Sequence, residues 1–579
     1  MITLLACLSG LYLSAQKIHL NQAIFPPDGS KIAVVEGRTD DHVFDVVDAA
    51  GHSVFRGQLG RRETIPDWSA EGFYQADFSV LHRPGTYRLM VDAGDTLISS
   101  VPFTIGNADW ARLLISSIIH YYNQQRANTP MELEADRHLL LYGSDKRVDL
   151  HGGWCDASGD VSKYFSHLAY ANFMSPQQIP LVTWSLVNTG EVLHDQLYRW
   201  GLTDSLVREA LWGADYITRS LSPEGYFYMT IFSYFKKDPE ARRVVGLRAN
   251  SVTTDEYQCA FREGGGMAIA ALARISRWHK NGDYTSQQYL DAARRAYAHL
   301  VVNNVRYDDD GKENIIDDYC ALMAATELWI ATDSGYYRDQ ARLRAQKLNA
   351  RMSPAGYFIS DDGRRPFWHA ADAGLPIVAL IRYLDKERDA SHRDAAVGTI
   401  RKALAYQIRV THEVDNPFGY ARQSFLYKDS VKDGFFIPHE NETGWWWQGE
   451  NARLGSLATA ALLGERLVRG HTGEGRPVPG DLTVFAARQY SWILGCNPYS
   501  ICFMYGWGKN NVPYMASNYG HGSQRGGISN GITGGKDHGD GGGIDFRTED
   551  DGNEWRWTEQ WLPHAAWFLA ALTAMASRQ

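Results

Sequence analysis

The sequence predicts a mainly α-helical protein, a ring of helical hairpins carrying a small β-sandwich at its front, and three observations support this. At 579 residues the chain is too long for one ordinary core, so it divides or repeats. Its apolar residues change period once, around residue 106, from short β-branched runs to helical spacing. No Pro-rich linker marks the change, so the two parts pack directly on each other.

MITLLACLSGLYLSAQK combines an apolar run from Ile2 to Leu13 with the small pair Ser14-Ala15, which reads as a signal peptide over residues 1–15. Export to the periplasm, cell surface or exterior is expected; Cys7 after LLA would also suit lipoprotein processing from an upstream start. Over residues 18–106, KIAVVEG, VFDVVDAAGHSVFRGQL, GFYQADFSVLHRPGTYRLMVD and VPFTIG are strand-like runs between Gly, Pro, Asn and Asp turns, as in a β-sandwich. From 107 to 579 helices dominate. DSLVREALWGADYITRSL sets Leu206, Ala210, Leu211, Ala214 and Ile217 at helical spacing, and GGGMAIAALARISRWH, DDYCALMAATELWIAT and LGSLATAALLGERLV behave alike. About a dozen such segments suit a ring of hairpins better than a bundle. No later run approaches the roughly 20 apolar residues that span a bilayer, so no transmembrane segment is expected. Beyond Cys7 the cysteines lack metal-ligand pairing and read as buried free thiols.

The net charge is −9 and the basic residues are scattered, which excludes nucleic acid or an anionic membrane surface as the main partner. Eighteen Trp and 31 Tyr suit a large core, and they also suit the faces of sugar rings.

Two regions carry candidate chemistry. In GGWCDASGD, residues Gly152, Gly153 and Gly159 let the backbone turn tightly, so Asp156 and Asp160 can point to one place and share a water. The same residues would also serve as a helix cap or a calcium-holding turn before a helix over KYFSHLAYANF. At the other end, EDDGNEWRWTEQWLPHAAWFLAAL sets Glu554 and Glu559 among tryptophans, where a carboxylic acid tends to keep its proton. A solvated acid at a helix N-terminus is the plainer reading of either. In a closed ring the first and last hairpins are neighbours, so these distant acids can face each other. Between them in the chain, YGHGSQRGGISNGITGGKDHGDGGGIDF is too glycine-rich for a helix and too long for a mere connection.

These motifs resemble glycoside hydrolase family 9, the inverting cellulase family, over nearly all of the mature chain. GGWCDASGDVSKY is similar to the family's Gly-Gly-Trp-Tyr-Asp-Ala-Gly-Asp-x-x-Lys-Tyr, WILGCNPYSICFMYGWGKNN to its Leu-Gly-x-Asn-Pro segment, and TEQWLPHAAWFLAAL to its C-terminal acid signature. LNQAIFPPDGSKIAVV and VPFTIG resemble the immunoglobulin-like module that precedes the catalytic domain in one branch. The resemblance implies an (α/α)6 barrel over 107–579 behind an immunoglobulin-like β-sandwich, and an oligo- or polysaccharide substrate. It implies Asp160 as catalytic base, Asp156 as its partner in holding the attacking water, and Glu559 as general acid. Glu559, and not Glu554, leaves the family's distance to Ala566. The reaction so implied is inverting hydrolysis of β-1,4-linked gluco-configured chains, with chain-end action expected and glucosamine chains or ordinary endoglucanase action as alternatives.

The chain also departs from the family pattern. Asp-Ala-Ser-Gly-Asp is one residue longer than the family motif, Cys155 replaces a tyrosine, and the family's sugar-binding His-x-Arg is missing where Tyr514, Met515 and Ala516 stand. Sugar contacts are therefore sought in Trp154, Tyr514, His439, Trp446, Trp447 and Trp557, with Glu440 and Glu442 as further acids near the groove. Arg262 with Glu263, and Trp368 with His369 and Asp372, read as ion pairs or caps at helix starts. The chemistry requires no cofactor and no metal is assigned; Asp537, Asp540 and Asp545 have oxygen-ligand types that suit Ca2+ without the EF-hand spacing. A non-catalytic glycan-binding protein would have no reason to keep the three acids together, and a uronide-cleaving lyase or hydrolase would be expected to show a basic or tyrosine-centred site.

Overall fold

The computed structural model describes residues 17–578 apart from 40–41, 93–95, 167–173, 237, 249–250, 362, 469–480, 516–519 and 550–551. The leader expected over residues 1–15, Ala516, and most of the helix expected over KYFSHLAYANF lie outside the described residues. The start of that last segment, Lys163–Tyr164, is a strand.

Among the described residues nine strands form the N-terminal sandwich: β1 Lys17–His19, β2 Ile24–Phe25, β3 Ile32–Glu36, β4 Val43–Asp48, β5 Ser53–Gln58, β6 Phe73–Asp77, β7 Gly85–Asp92, β8 Leu97–Ser99 and β9 Phe103–Ile105. One sheet runs β1-β3-β6; the other runs β2-β9-β7-β4-β5, with β8 on β7. Along β7 the side chains alternate, and Tyr87, Leu89 and Val91 enter the sandwich core. β3 is buried on both faces. Ala33 and Val35 point into the sandwich, whereas Val34 joins the helical core, so this sheet serves as the floor between the two parts. Trp68 extends that contact: its ring packs 4.9 Å from Phe435 and its indole donates to the Gly543 carbonyl at 3.2 Å.

Among the described residues fifteen helices follow: α1 Ala111–Gln124, α2 Pro130–Asp136, α3 Ile179–Val192, α4 His194–Trp200, α5 Thr203–Arg219, α6 Gly266–Ile275, α7 Ser286–Tyr307, α8 Ile315–Thr332, α9 Gly335–Ala350, α10 Leu375–Lys386, α11 Ala390–His412, α12 Asn451–Val468, α13 Asp481–Ile493, α14 Trp555–Thr558 and α15 Leu562–Ala576. Six of them close a ring, α3 against α6, α8, α10, α12, α15 and back to α3. α5, α7, α9, α11, α13 and α1 pack outside it. The sequence accounts for the split. The whole of α6 is buried, as is most of α3, α8, α12 and α15, and they are apolar almost all round; α7 and α9 bury only a stripe. Pro180, Pro376 and Pro563 stand in the first turn of three inner helices, where a missing N–H is harmless. α15 thus lies beside α3, as a closed ring requires.

At the start of α6, Arg262 is buried among Asp308, Asp309, Asp310 and Asp317, so the expected ion pairing is present. His369 accepts the Asp372 N–H at 2.8 Å, and Asp372 accepts the Trp567 indole, in the turn before α10. Cys155, Cys259, Cys320, Cys496 and Cys502 are free and buried. Among the described residues no helix is long and apolar enough to cross a membrane.

Candidate active site

The loop between α2 and α3 makes the GGWCDASGD turn, in which Gly152, Gly153 and Gly159 have φ of 92°, 73° and 85°. A side chain there would be strained, and at Gly153 a Cβ would also stand 2.9 Å from the Tyr216 ring. The turn is stitched to the segment before α15. Ser158 N–H donates to the Gln560 carbonyl at 2.8 Å, Gln560 N–H donates to Ser158 Oγ at 2.9 Å, and Leu562 N–H donates to the Asp156 carbonyl at 3.2 Å. The serine of the lengthened motif is therefore a docking point, bonded both ways to the neighbour of Glu559. Gly159 N–H is held by the His521 carbonyl at 2.8 Å, so the glycine-rich loop clasps the turn as well.

These contacts bring Asp156, Asp160, Glu554 and Glu559 to one cavity of about 430 Å3. The walls come from the segments that precede inner helices: the aspartate turn before α3, Phe235 and Ser251 before α6, Trp446 and Gln448 before α12, and Met515, Trp555 of the short helix α14 and Trp561 before α15. No Lys, Arg or His lines it among the described residues. Three donors converge on Asp160 Oδ1: Ser162 N–H and Ser162 Oγ at 3.0 Å, and Ser233 Oγ at 3.2 Å. Ser162 and Ser233 are adjacent because Lys163–Tyr164 pairs with Thr230–Phe232 in a four-stranded antiparallel sheet completed by Arg243–Arg248 and Val252–Thr254. Asp156 Oδ1 accepts the Trp561 indole at 3.0 Å. Burial, with the Asp160 and Glu559 carboxylates facing it, pushes the Asp156 carboxyl well above the ordinary range.

Of the aromatic residues sought for sugar contact, Trp446 lines the cavity. The others do not. Trp154 is fully buried and donates to Glu209, forming core behind the turn. Trp557 is fully buried and donates to Thr533 Oγ1 at 3.1 Å. Trp447 is held between His439, Trp557 and the Arg556 guanidinium, 4.1 Å away. His439 binds the Gly534 carbonyl at 3.0 Å. Tyr514 is exposed but leans on Tyr505, and its neighbour Met515 takes the wall position. Glu442 accepts the Trp368 indole at 3.0 Å and Glu440 is exposed; neither is part of the cavity. Large aromatics in a 579-residue chain are first of all core, as Trp154 and Trp557 are here. Trp561 and Trp555 were within sight beside Glu559; Ser162, Ser233, Phe235 and Ser251 carry no mark in the sequence.

Directly behind the turn, Glu132, Cys155 and His521 bring three metal-ligand atoms within 4.8 Å of one another. Their charge is already answered by protein: His521 Nε2 lies 2.8 Å and Arg242 3.4 Å from Glu132, while Lys163 and Arg242 both reach Asp136. This is the setting of an ion-pair clamp. Asp545 pairs with Arg547, Asp540 stands 4.0 Å from His538, and Asp537, Asp540 and Asp545 form no ligand group among the described residues.

A family model for Glycosyl hydrolase family 9 matches residues 111–560. The chain belongs to this family. A model for the cellulase N-terminal ig-like domain matches residues 14–96 of the same family 9 hydrolase. Endoglucanase 4 of Arabidopsis thaliana is 25% identical to it over 429 residues, 70% of this chain and 78% of that protein. A cellodextrinase of Butyrivibrio fibrisolvens is 30% identical over 159 residues, so the aligned part spans 26% of this chain and 28% of that relative. Among solved structures, a metagenome-derived glycoside hydrolase family 9 endoglucanase matches with TM-score 0.67 and 18% identity over 98% of this chain and 100% of the other. Bacteroides ovatus GH9 matches with TM-score 0.66 and 18% identity, over 97% and 99%. The family 9 hydrolase thus has the fold of that family with its N-terminal immunoglobulin-like domain.

Proposed function

We propose that this family 9 hydrolase cleaves β-1,4-linked gluco-configured oligosaccharides from chain ends with inversion at the anomeric carbon. The observation that carries the reading is the convergence of Asp156, Asp160 and Glu559, from loops before α3 and α15, on one cavity. Glu559 acts as general acid and protonates the leaving oxygen. Asp160, oriented by Ser162 and Ser233, draws a proton from a water on the opposite face of the sugar. Asp156 is the partner of Asp160 in holding the attacking water. Hydrolysis of this kind needs no cofactor.

Chain-end action is supported by the size of the cavity, about 430 Å3, which suits a few sugar units. The cellodextrinase relative agrees with short chains, and an outside polymer agrees with the export expected from residues 1–15. A second reading has its own support. Four acidic side chains, Asp156, Asp160, Glu554 and Glu559, line one cavity and acids suit an amino sugar, so glucosamine chains are the alternative substrate.

Both are tested together on cellopentaose and its glucosamine counterpart. Asp160→Asn and Glu559→Gln should each lower turnover about 10²-fold or more with the circular dichroism unchanged. Proton NMR should show the α-anomer first, and monosaccharide should appear from the outset with chains one unit shorter. A β-anomer would remove inversion, mid-length products would remove chain-end action, and loss in Glu554→Gln with full activity in Glu559→Gln would move the acid.

A further inference from the structure

Phe235 is 63% exposed, lines the carboxylate cavity, and sits in a segment that folding alone does not explain. Tyr234 and Phe235 both have φ of 57°, a left-handed conformation that bulky side chains avoid. Tyr234 has a structural reason for it, because its ring joins Phe232, Val245, Leu247 and Tyr164 in a small apolar cluster. Phe235 buries little in return; Phe232 meets its ring edge-on, 5.1 Å away at 90°. Strain of this kind is retained where function over-determines the backbone.

The position of the ring relative to the chemistry is fixed. One residue separates Phe232 from Tyr234, and that residue is Ser233, whose hydroxyl donates to Asp160 and whose N–H donates to Ser162 Oγ at 3.1 Å. The end of the strand Thr230–Phe232 is thus pinned to the aspartate turn, and the left-handed step that follows presents an exposed aromatic face on the same cavity. A β-linked gluco-configured ring has equatorial hydroxyls and shows C–H groups on both faces, which is the surface an aromatic ring stacks on.

We propose that Phe235 is a stacking platform for a pyranose unit of the chain next to the one being cleaved, and that Ser233 sets its distance from Asp160. This deepens the hydrolase reading above and rests on it. The test compares kcat/KM for a pentasaccharide, glucose- or glucosamine-built, with that for the matching aryl monosaccharide. In Phe235→Ala the pentasaccharide-to-aryl ratio should fall about tenfold, mainly through KM, and Phe235→Trp should restore it. Thermal melting of both variants keeps the comparison within folded protein, and the exposed ring predicts little change.

An unchanged ratio in Phe235→Ala with wild-type cleavage of the pentasaccharide overturns the platform and leaves the hydrolase reading standing. An equal loss on both substrates overturns it too, since the ring would then be shaping the cavity. If the wild type neither cleaves nor binds either pentasaccharide by calorimetry, the function reading fails first and the platform with it.

Discussion

At His521 one side chain and one carbonyl do different work. The carbonyl holds Gly159 beside Asp160, and the ring meets Glu132 and Cys155 in a buried pocket. Against the burial that would lower it, the Cys155 and Glu132 partners raise the imidazole from 6.5 to about 10. Glu132, despite burial, is drawn from 4.5 down to about 2 by His521, Arg242 and Thr129. A raised histidine contributes stability below its unfolded pKa and loses it as pH climbs toward the folded one; a depressed carboxylate contributes above its unfolded pKa and loses it as pH falls. The clamp is therefore at full strength between pH 4.5 and 6.5, weakening toward about 2 and toward about 10. Denaturant unfolding of wild type and His521→Gln across pH should show the widest gap in that window, closing as pH rises above it. A gap independent of pH would mean that the ring matters only for packing.

Among the elements, α6 shows most plainly how a charged residue can start a buried helix. Its approach, Phe261–Gly265, bends through Gly264 at φ 96° and brings Arg262 against α8, where Asp308, Asp309 and Asp310 of the preceding loop and Asp317 of the helix close round the guanidinium. Burial and the facing Asp317 push Asp308 upward, while the Arg262 guanidinium opposes that shift. Removing one partner of a buried ionic group leaves the others uncompensated, at about 3–5 kcal/mol. Arg262→Ala should lower the unfolding free energy by that amount, and Arg262→Lys should rescue little, because one ammonium cannot match a fork that reaches four acids. Calorimetry reads both. A melting temperature unchanged in Arg262→Ala would show that the aspartates are solvated.

For the molecule as a whole, the sandwich and the ring share a core. Val34, Ile65, Trp68 and Phe73 of the sandwich belong to the same apolar cluster as the ring helices, and Tyr490 donates to the Ile24 carbonyl at 2.6 Å across the junction. Thermal unfolding is therefore expected as a single transition. Trp68→Ala should destabilise by roughly 3–5 kcal/mol, the range for truncating a buried aromatic, and should loosen the loop whose Gly543 carbonyl the indole holds. Two separated transitions in the wild type would show that the parts fold independently.

Local pattern was enough for the architecture. The change from period two to helical spacing, the apolar all-round helices and the glycines of GGWCDASGD are properties of short stretches, and backbone sterics act at that range. The two acid-bearing segments could be read the same way, since each is a compact motif. What the sequence could not decide is which side chains face a common space, because that depends on contacts between residues hundreds of positions apart. Trp154, Trp557 and Trp446 look alike in a string of letters, yet two are core and one is wall. Ser233 and Phe235 look like nothing in particular until pairing of Thr230–Phe232 with Lys163–Tyr164 sets one against Asp160 and the other over the cavity. Burial and facing charge, which push the Asp156 carboxyl upward, exist only once the ring has closed.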